Sequence, residues 1–386
     1  MKKKWYFLFV VALAIWACSS DGSSDNPPTD DDMGGTDDDV VVPVTFDRGA
    51  MLANWADNII IPSYKAFQSE LSAMDMAYDT FTGDKSIENL EAFRNAWESA
   101  YRAWQRVSMF ETGPAESAGY RLNMNIYPAD TDLIDSFITT GTFDLSLPSN
   151  RDAKGFATLD YLLNGLDDND TDLLERWTNG ADAANTEDYI NAILSDMMSL
   201  TDDVVGQWEG SYRNTFVAND GSSATASVDR YVNDYIFYYE KFLRAGKIGI
   251  PIGVFSGTTA VNTIEVLYKP ELSKPMFLEG LDAVQDFFNG KHFGSDATGE
   301  SLASYLDALN TVKDGEDLSQ RINDQMDAGR DIVSALGDFK TEIESGNPPV
   351  DMFLAYDEVQ KVVPLFKVDM VSAMSINIDF VDADGD

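Results

Sequence analysis

The chain has 386 residues, 44% of them hydrophobic, and its 66 acidic against 27 basic side chains give a formal net charge of -39. That apolar content can bury a sizeable core, which excludes a disordered chain, and the length suits about two domains. Acids are spread along the whole sequence, so phosphate backbones are repelled: nucleic acid is excluded as a partner, and a cationic or neutral one is favoured.

Reading from the N-terminus, Lys2, Lys3 and Lys4 form a basic region ahead of an apolar stretch from Trp5 to Ala17. That stretch is well short of the ~20 residues that span a bilayer as a helix, so it reads as an export signal. The single cysteine, Cys18, follows Ile15-Trp16-Ala17. This resembles the lipobox of bacterial lipoproteins, and the resemblance implies lipidation of Cys18, although Trp16 stands where a small residue is usual. With no second cysteine, no intramolecular disulfide can form. Residues 19–46 are rich in Asp, Ser, Gly and Pro and read as an acidic tether, reaching roughly 30 Å if flexible. An acidic segment directly after such a cysteine resembles the surface-export signal of Bacteroidetes lipoproteins. A plain periplasmic spacer remains open beside it. The expected location is therefore the outer membrane, on its periplasmic or its outer face.

From Asp47 onward the period is helical. The spacing predicts helices over Leu52–Phe81, with a kink at Pro62, and over the run beginning at Ser86. There Leu90, Phe93, Trp97, Ala100, Trp104 and Val107 step by three and four, with Glu98 and Arg102 paired on the outer face. Ser86 is the expected N-cap. Further helices are expected at Leu133–Ile138, Gly155–Leu163, Tyr189–Phe216, Val228–Leu243, Phe277–Phe288, Leu302–Leu309, Leu318–Ile343 and Met352–Met370. The one strand-like alternation is Ile376, Ile378 and Phe380. The expected class is all-α, with two helical-bundle domains at 47–217 and 227–386 divided near Ala218–Ala226.

Several chemistries fail on inventory. His292 is the only histidine, so a paired-histidine zinc hydrolase is excluded, and its glycine-rich context reads as an exposed loop. The glycines between Gly246 and Gly257 match no phosphate-binding fingerprint; they read as a turn, with Gly246 as a helix C-cap. The acidic runs Asp167–Asp172 and Asp382–Asp386 lack the glycine or the terminal glutamate of a calcium loop and read as solvated.

The segment GFATLDYLLNG, Gly155 to Gly165, resembles the G-x-H-x-x-E helix of the imelysin-like proteins. Upstream, Glu111, Gly113 and Pro114 precede Asn125-Ile126-Tyr127-Pro128 and an Ile-Asp pair ending at Asp135, as in that family. Downstream, EKFLRAGKIGIPIG and the acidic C-terminus are similar to its Bacteroidetes members. The resemblance implies a two-domain helical fold with a site near the domain interface. It also implies one of two roles, peptidase or exported participant in iron uptake, with Gly155, Asp160 and Glu111 as the motif-matched binding residues. Ala157, however, stands at the family's histidine and Asp160 at its glutamate. In a helix these positions share a face, where two such side chains could hold a metal or a proton; alanine offers no lone pair.

The expectation is therefore a lipid-anchored binding protein for iron, another divalent cation or a nutrient, without peptidase activity. It has no firmly assigned cofactor; its partners would be the membrane and an outer-membrane uptake receptor. A hydrolase with a metal site rebuilt from carboxylates such as Glu111 and Asp160, and a purely structural surface protein, are the alternatives.

Overall fold

The computed structural model describes residues 46–346 and 348–379. Cys18, the export signal, the acidic run Asp382–Asp386 and all of the tether except Phe46 lie outside them. Among the described residues no helix is long and apolar enough to cross a membrane.

Helix α1 (Arg48–Asn54) starts behind Asp47, whose carboxylate accepts the Ala50 N–H at 2.8 Å. It continues through a π-helical segment, Trp55–Ile60, into α2 (Ile61–Gly83). Pro62 stands in the first turn of α2 and has no N–H to give the carbonyl of Asn58. The bend expected at the proline is expressed as the π segment just before it, and the Asn58 carbonyl instead accepts the Phe293 N–H at 2.8 Å.

Helix α3 (Ile87–Val107) is capped by Ser86, whose hydroxyl accepts the Asn89 N–H at 3.3 Å. Its predicted stripe is buried throughout, while Arg102 pairs with Glu98 at 2.8 Å on the other side. Then follow α4 (Pro114–Ala118), α5 (Tyr120–Met124), α6 (Thr131–Thr140), α7 (Gly155–Asn164), α8 (Asp170–Asn179) and α9 (Ala183–Gln207). Helix α2 packs against both α3 and α9. The acidic run expected to stay solvated instead opens α8: Asn169 caps it, and Asp170 pairs with Arg94 at 2.8 Å. A π segment, Trp208–Tyr212, broken at Gly210, leads into α10 (Arg213–Ala218).

Past residues 219–226 come α11 (Ser227–Phe237) and a long π segment, Tyr238–Gly249. Gly246 therefore does not end a helix: the chain stays helical through Gly249. Next are α12 (Ser273–Phe288), α13 (Leu302–Ala308) and a hairpin of β1 (Val312–Lys313) with β2 (Glu316–Asp317) that the sequence did not announce. The helix expected over Leu318–Ile343 is two, α14 (Leu318–Ser334) and α15 (Phe339–Ser345). Gly337 interrupts it, and Asp338 caps the second piece through the Thr341 N–H at 2.8 Å. Helices α16 (Val350–Gln360) and α17 (Val362–Pro364), a π segment Leu365–Met370 and α18 (Val371–Met374) complete the path. Ile376 and Ile378 belong to no strand; the Asp379 N–H and the Asn377 carbonyl bond the side chain of Asn233 instead.

One apolar cluster runs through both halves. Trp55, from the π segment after α1, lies 5.3 Å from the ring of Tyr231 on α11 and 4.8 Å from that of Phe287 on α12, and α3 packs on α12. Aromatic burial of this kind is worth more than area alone.

Candidate functional site

Helix α7 begins at a backbone position that only glycine tolerates. Gly155 has φ +76°, it bridges to Asn125, and a Cβ on it would sit 2.0 Å from the Met124 carbonyl oxygen. This close approach pins α7 to the end of α5. Two residues on, Ala157 is buried. Asp160, three further and on the same face, is 1% exposed. Its two oxygens are both engaged: one accepts from the Asn164 side-chain amide at 3.1 Å, the other from the Tyr268 N–H at 2.9 Å. Burial pushes its pKa up to about 7 against these two hydrogen bonds. Ala157 and Asp160 line a cavity of about 180 Å³ closed by Tyr127 and Pro128 on one side and by Asn262, Ile264 and Tyr268 on the other. It thus lies between α7 and the loop before α12.

The loop before α12, whose Tyr268 N–H reaches Asp160 on α7, turns one residue inward. Glu265, flanked by Ile264 and Val266, is buried and accepts hydrogen bonds from Tyr101 at 3.1 Å, Gln105 at 3.2 Å and Asn125 at 2.8 Å. It is also ion-paired with Lys247, whose ammonium bonds Gln105 Oε1 at 2.8 Å. Burial holds the Lys247 pKa below its usual value, and the Glu265 carboxylate opposes this. Lys247 comes from the π segment after α11, where the wider helical turn places it in the core. Such segments recur at functional sites.

Beyond this pair lies a larger cavity, about 520 Å³, lined by Glu111, Thr112, Glu116, Arg121, Arg230, Asn233, Asp234, Phe237, Phe242 and Asp379 among others. The Arg121 guanidinium rests 4.6 Å from the centre of the Phe242 ring and pairs with Asp234 at 3.2 Å. Asp234 also accepts the Glu111 N–H at 3.0 Å, and the Glu111 carboxylate accepts the Arg121 N–H at 2.8 Å. Burial raises the Glu111 pKa to about 7, with Arg121 pulling the other way. Tyr127 borders both the small cavity and the Lys247–Glu265 pair, and Arg121 and Phe242 border both that pair and the large cavity. The three form a row.

Of the residues expected at a site, Asp160 lines the small cavity at one end of this row, with Gly155 at the start of its helix, and Glu111 lines the large cavity at the other. Sequence reasoning missed Lys247, Glu265, Arg121 and Asp234. A signal existed for the first two: each is a lone charge inside an apolar run, GKIGIPIG and NTIEVLY, which marks a buried, paired group.

The donor set at the α7 motif does not fit a resident metal ion. Ala157 offers a methyl, both Asp160 oxygens face N–H donors, and among the described residues no three His, Cys, Asp or Glu side chains gather as ligands.

The described residues define an all-helical protein around one apolar core with a buried polar row. The chain belongs to the imelysin family, whose sequence profile matches residues 60–363. Over 79 residues it is 30% identical to iron-regulated protein A of Synechococcus elongatus, a stretch that covers 20% of this chain and only 22% of that relative. Its fold is similar to that of an iron-regulated protein A precursor from Parabacteroides distasonis, with TM-score 0.67, 18% identity, and 84% of this chain and 95% of that one covered. It is also similar to an imelysin-like protein from Psychrobacter arcticum, with TM-score 0.68, 15% identity, and 86% and 97% covered.

Proposed function

We propose that this imelysin-family protein is a lipid-anchored binding component of a bacterial cell envelope. It would serve acquisition of iron or another nutrient, in concert with an outer-membrane uptake receptor, and it would not cleave peptides. The observation that carries this reading is the pairing at the α7 motif: a methyl at Ala157 beside an Asp160 carboxylate whose oxygens are already bonded by Asn164 and Tyr268. A hydrolytic metal ordinarily keeps nitrogen ligands that tune its water, and none is offered there. The names of the Synechococcus and Parabacteroides relatives support the link to iron, and the sequence around Cys18 supports the anchor. Binding would fall to the larger cavity, where Glu111, Arg121 and Asp234 stand among aromatic walls.

Purified protein incubated with unfolded polypeptide and added zinc or iron is expected to leave it intact. Cleavage that disappears on Asp160→Asn would overturn the reading. In cells, incorporation of labelled fatty acid is expected to depend on Cys18 and to be lost in Cys18→Ser.

A further inference from the structure

The lining of the larger cavity, about 520 Å³, is part apolar and part charged. The apolar part is open to contact: Leu122 is 40% exposed, and Phe237 and Phe242 are each partly exposed. Leu122 comes from α5, Phe237 from the end of α11 and Phe242 from the π segment that follows it. The two rings meet edge to face with centroids 5.7 Å apart. The apolar body of a ligand can therefore reach hydrophobic surface that the fold leaves uncovered.

The charged part is not balanced. Arg121 is committed: its Nε donates to the Ser108 carbonyl at 2.6 Å, and its terminal nitrogens hold Asp234 at 3.2–3.4 Å. Asp234 is thereby paired, and it takes the Glu111 N–H as well. Arg230 and Glu116, both half-exposed, pair with each other at 2.5 Å. Glu111 is left over. It is half-buried, its Oε2 accepts the Arg121 N–H at 2.8 Å, and among the described residues its Oε1 has no hydrogen-bond partner and no Lys or Arg ion-pairs with it. Partial desolvation without a counter-charge disfavours the ionised carboxylate, and a cationic group brought to it would relieve that cost.

We infer that this cavity binds an apolar amine in its ammonium form, with the charged head on Glu111 and the body on Leu122, Phe237 and Phe242. The inference rests on the assignment of binding to this cavity made above and names the class of ligand. Charge selects the sign: an anion would meet Glu111 and the exposed Asp379 on a chain of net charge -39, whereas a cation is drawn in. One open carboxylate oxygen suits the point charge of an ammonium better than the fork of a guanidinium, which seeks two. A bare metal ion would lack a ligand set, because among the described residues no three His, Cys, Asp or Glu side chains gather to hold one. Aromatic rings beside the carboxylate add to the attraction for a cation. The volume is within the usual range for small-molecule pockets, roughly 300–1,000 Å³.

Calorimetry of the whole protein with phenethylamine tests this. Two comparison probes go with it: 3-phenylpropionate carries the opposite charge on a similar body, and methylamine the same charge without the body. Saturable binding of phenethylamine is expected, about ten-fold weaker or worse for either comparison probe and in Glu111→Gln. That variant keeps the side-chain shape, and unchanged melting without ligand checks its fold. Leu122→Asn, at an exposed position, is expected to weaken binding about three-fold. Asp296→Asn removes the same charge from a fully exposed site outside this cavity and leaves binding unchanged. Binding needs Glu111 ionised, so it is expected to be roughly ten-fold tighter at pH 8 than at pH 6, with protons released at pH 7. Of the groups facing Glu111, Arg121 stays charged and Tyr64 and Tyr120 stay neutral over that range, and Glu116 is held by Arg230. Burial raises the Asp234 pKa too, so the proton release must vanish in Glu111→Gln. Absence of saturation up to about 10 mM, equal binding of either comparison probe, or undiminished binding in Glu111→Gln would each overturn the assignment. None of these outcomes alters what the peptidase and fatty-acid assays above report, so the two readings fail separately.

Discussion

Asp160, buried, and Glu111, half-buried, are carboxylates in the two segments that carry the family likeness, and desolvation raises both to about 7. Their surroundings differ. Asp160 is clamped by Asn164 from its own helix and by the Tyr268 N–H from the loop before α12, in a cavity of about 180 Å³. Glu111 faces a cavity nearly three times larger, shared with two arginines and two phenylalanines. The same desolvation thus acts in two settings: one acid ties loop to helix, the other borders an open cavity. Perturbed acidity alone does not distinguish a strut from a binding group; the partners of the oxygens do.

The ion pair between the two sites is expected to give the largest effect. Lys247→Met strands Glu265 in the core and should cost about 3–5 kcal/mol in denaturant unfolding, whereas Lys247→Met combined with Glu265→Leu should recover most of it. If the single variant is as stable as the parent, the two sites are not joined by a buried pair. Next, Gly155→Ala forces a Cβ toward the Met124 carbonyl at positive φ and should cost about 2–3 kcal/mol in the same assay.

A smaller effect sharpens the contrast through pH. The Asp160 pKa is raised in the folded state, from an ordinary 3.8 to about 7. Its contribution to stability is therefore complete below about pH 4 and is lost as pH rises through 7. Asp160→Asn, which can keep both hydrogen bonds by rotating the amides, should flatten that decline and melt higher than the parent at pH 8. The smallest effect is expected from Glu111→Gln, a change of at most about 1 kcal/mol because the carboxylate borders an open cavity. If Glu111→Gln proves as costly as the Lys247 variant, Glu111 is a strut as well.

Much of the fold was legible because it rests on one period. The stripe of α3 and the cap at Ser86 were read correctly, and so was the extent of α7 to within a residue. The π segments were not, because a widened turn leaves the apolar spacing nearly unchanged and is set by tertiary demands such as the freed Asn58 carbonyl. The break between α14 and α15 hinged on Gly337 and the Asp338 cap, which an unbroken apolar rhythm concealed. Family likeness points to Gly155, Asp160 and Glu111, but the Glu265 network depends on Tyr101, Gln105, Asn125 and Lys247 meeting it in space, which no local pattern announces. His292 was taken for an exposed loop residue, yet it is half-buried and its Nε2 is shielded. The reason is the Phe293 bond to the carbonyl that Pro62 released more than two hundred residues earlier.

Where the described chain begins, the Phe46 ring stacks on Tyr305 of α13 with centroids 4.3 Å apart. Two residues later Arg48 bonds the Tyr305 hydroxyl at 3.2 Å and the Gly221 carbonyl at 2.6 Å and pairs with Asp229. A pull transmitted along the preceding residues would therefore enter the protein through a clamp on α11, α13 and the 219–226 loop.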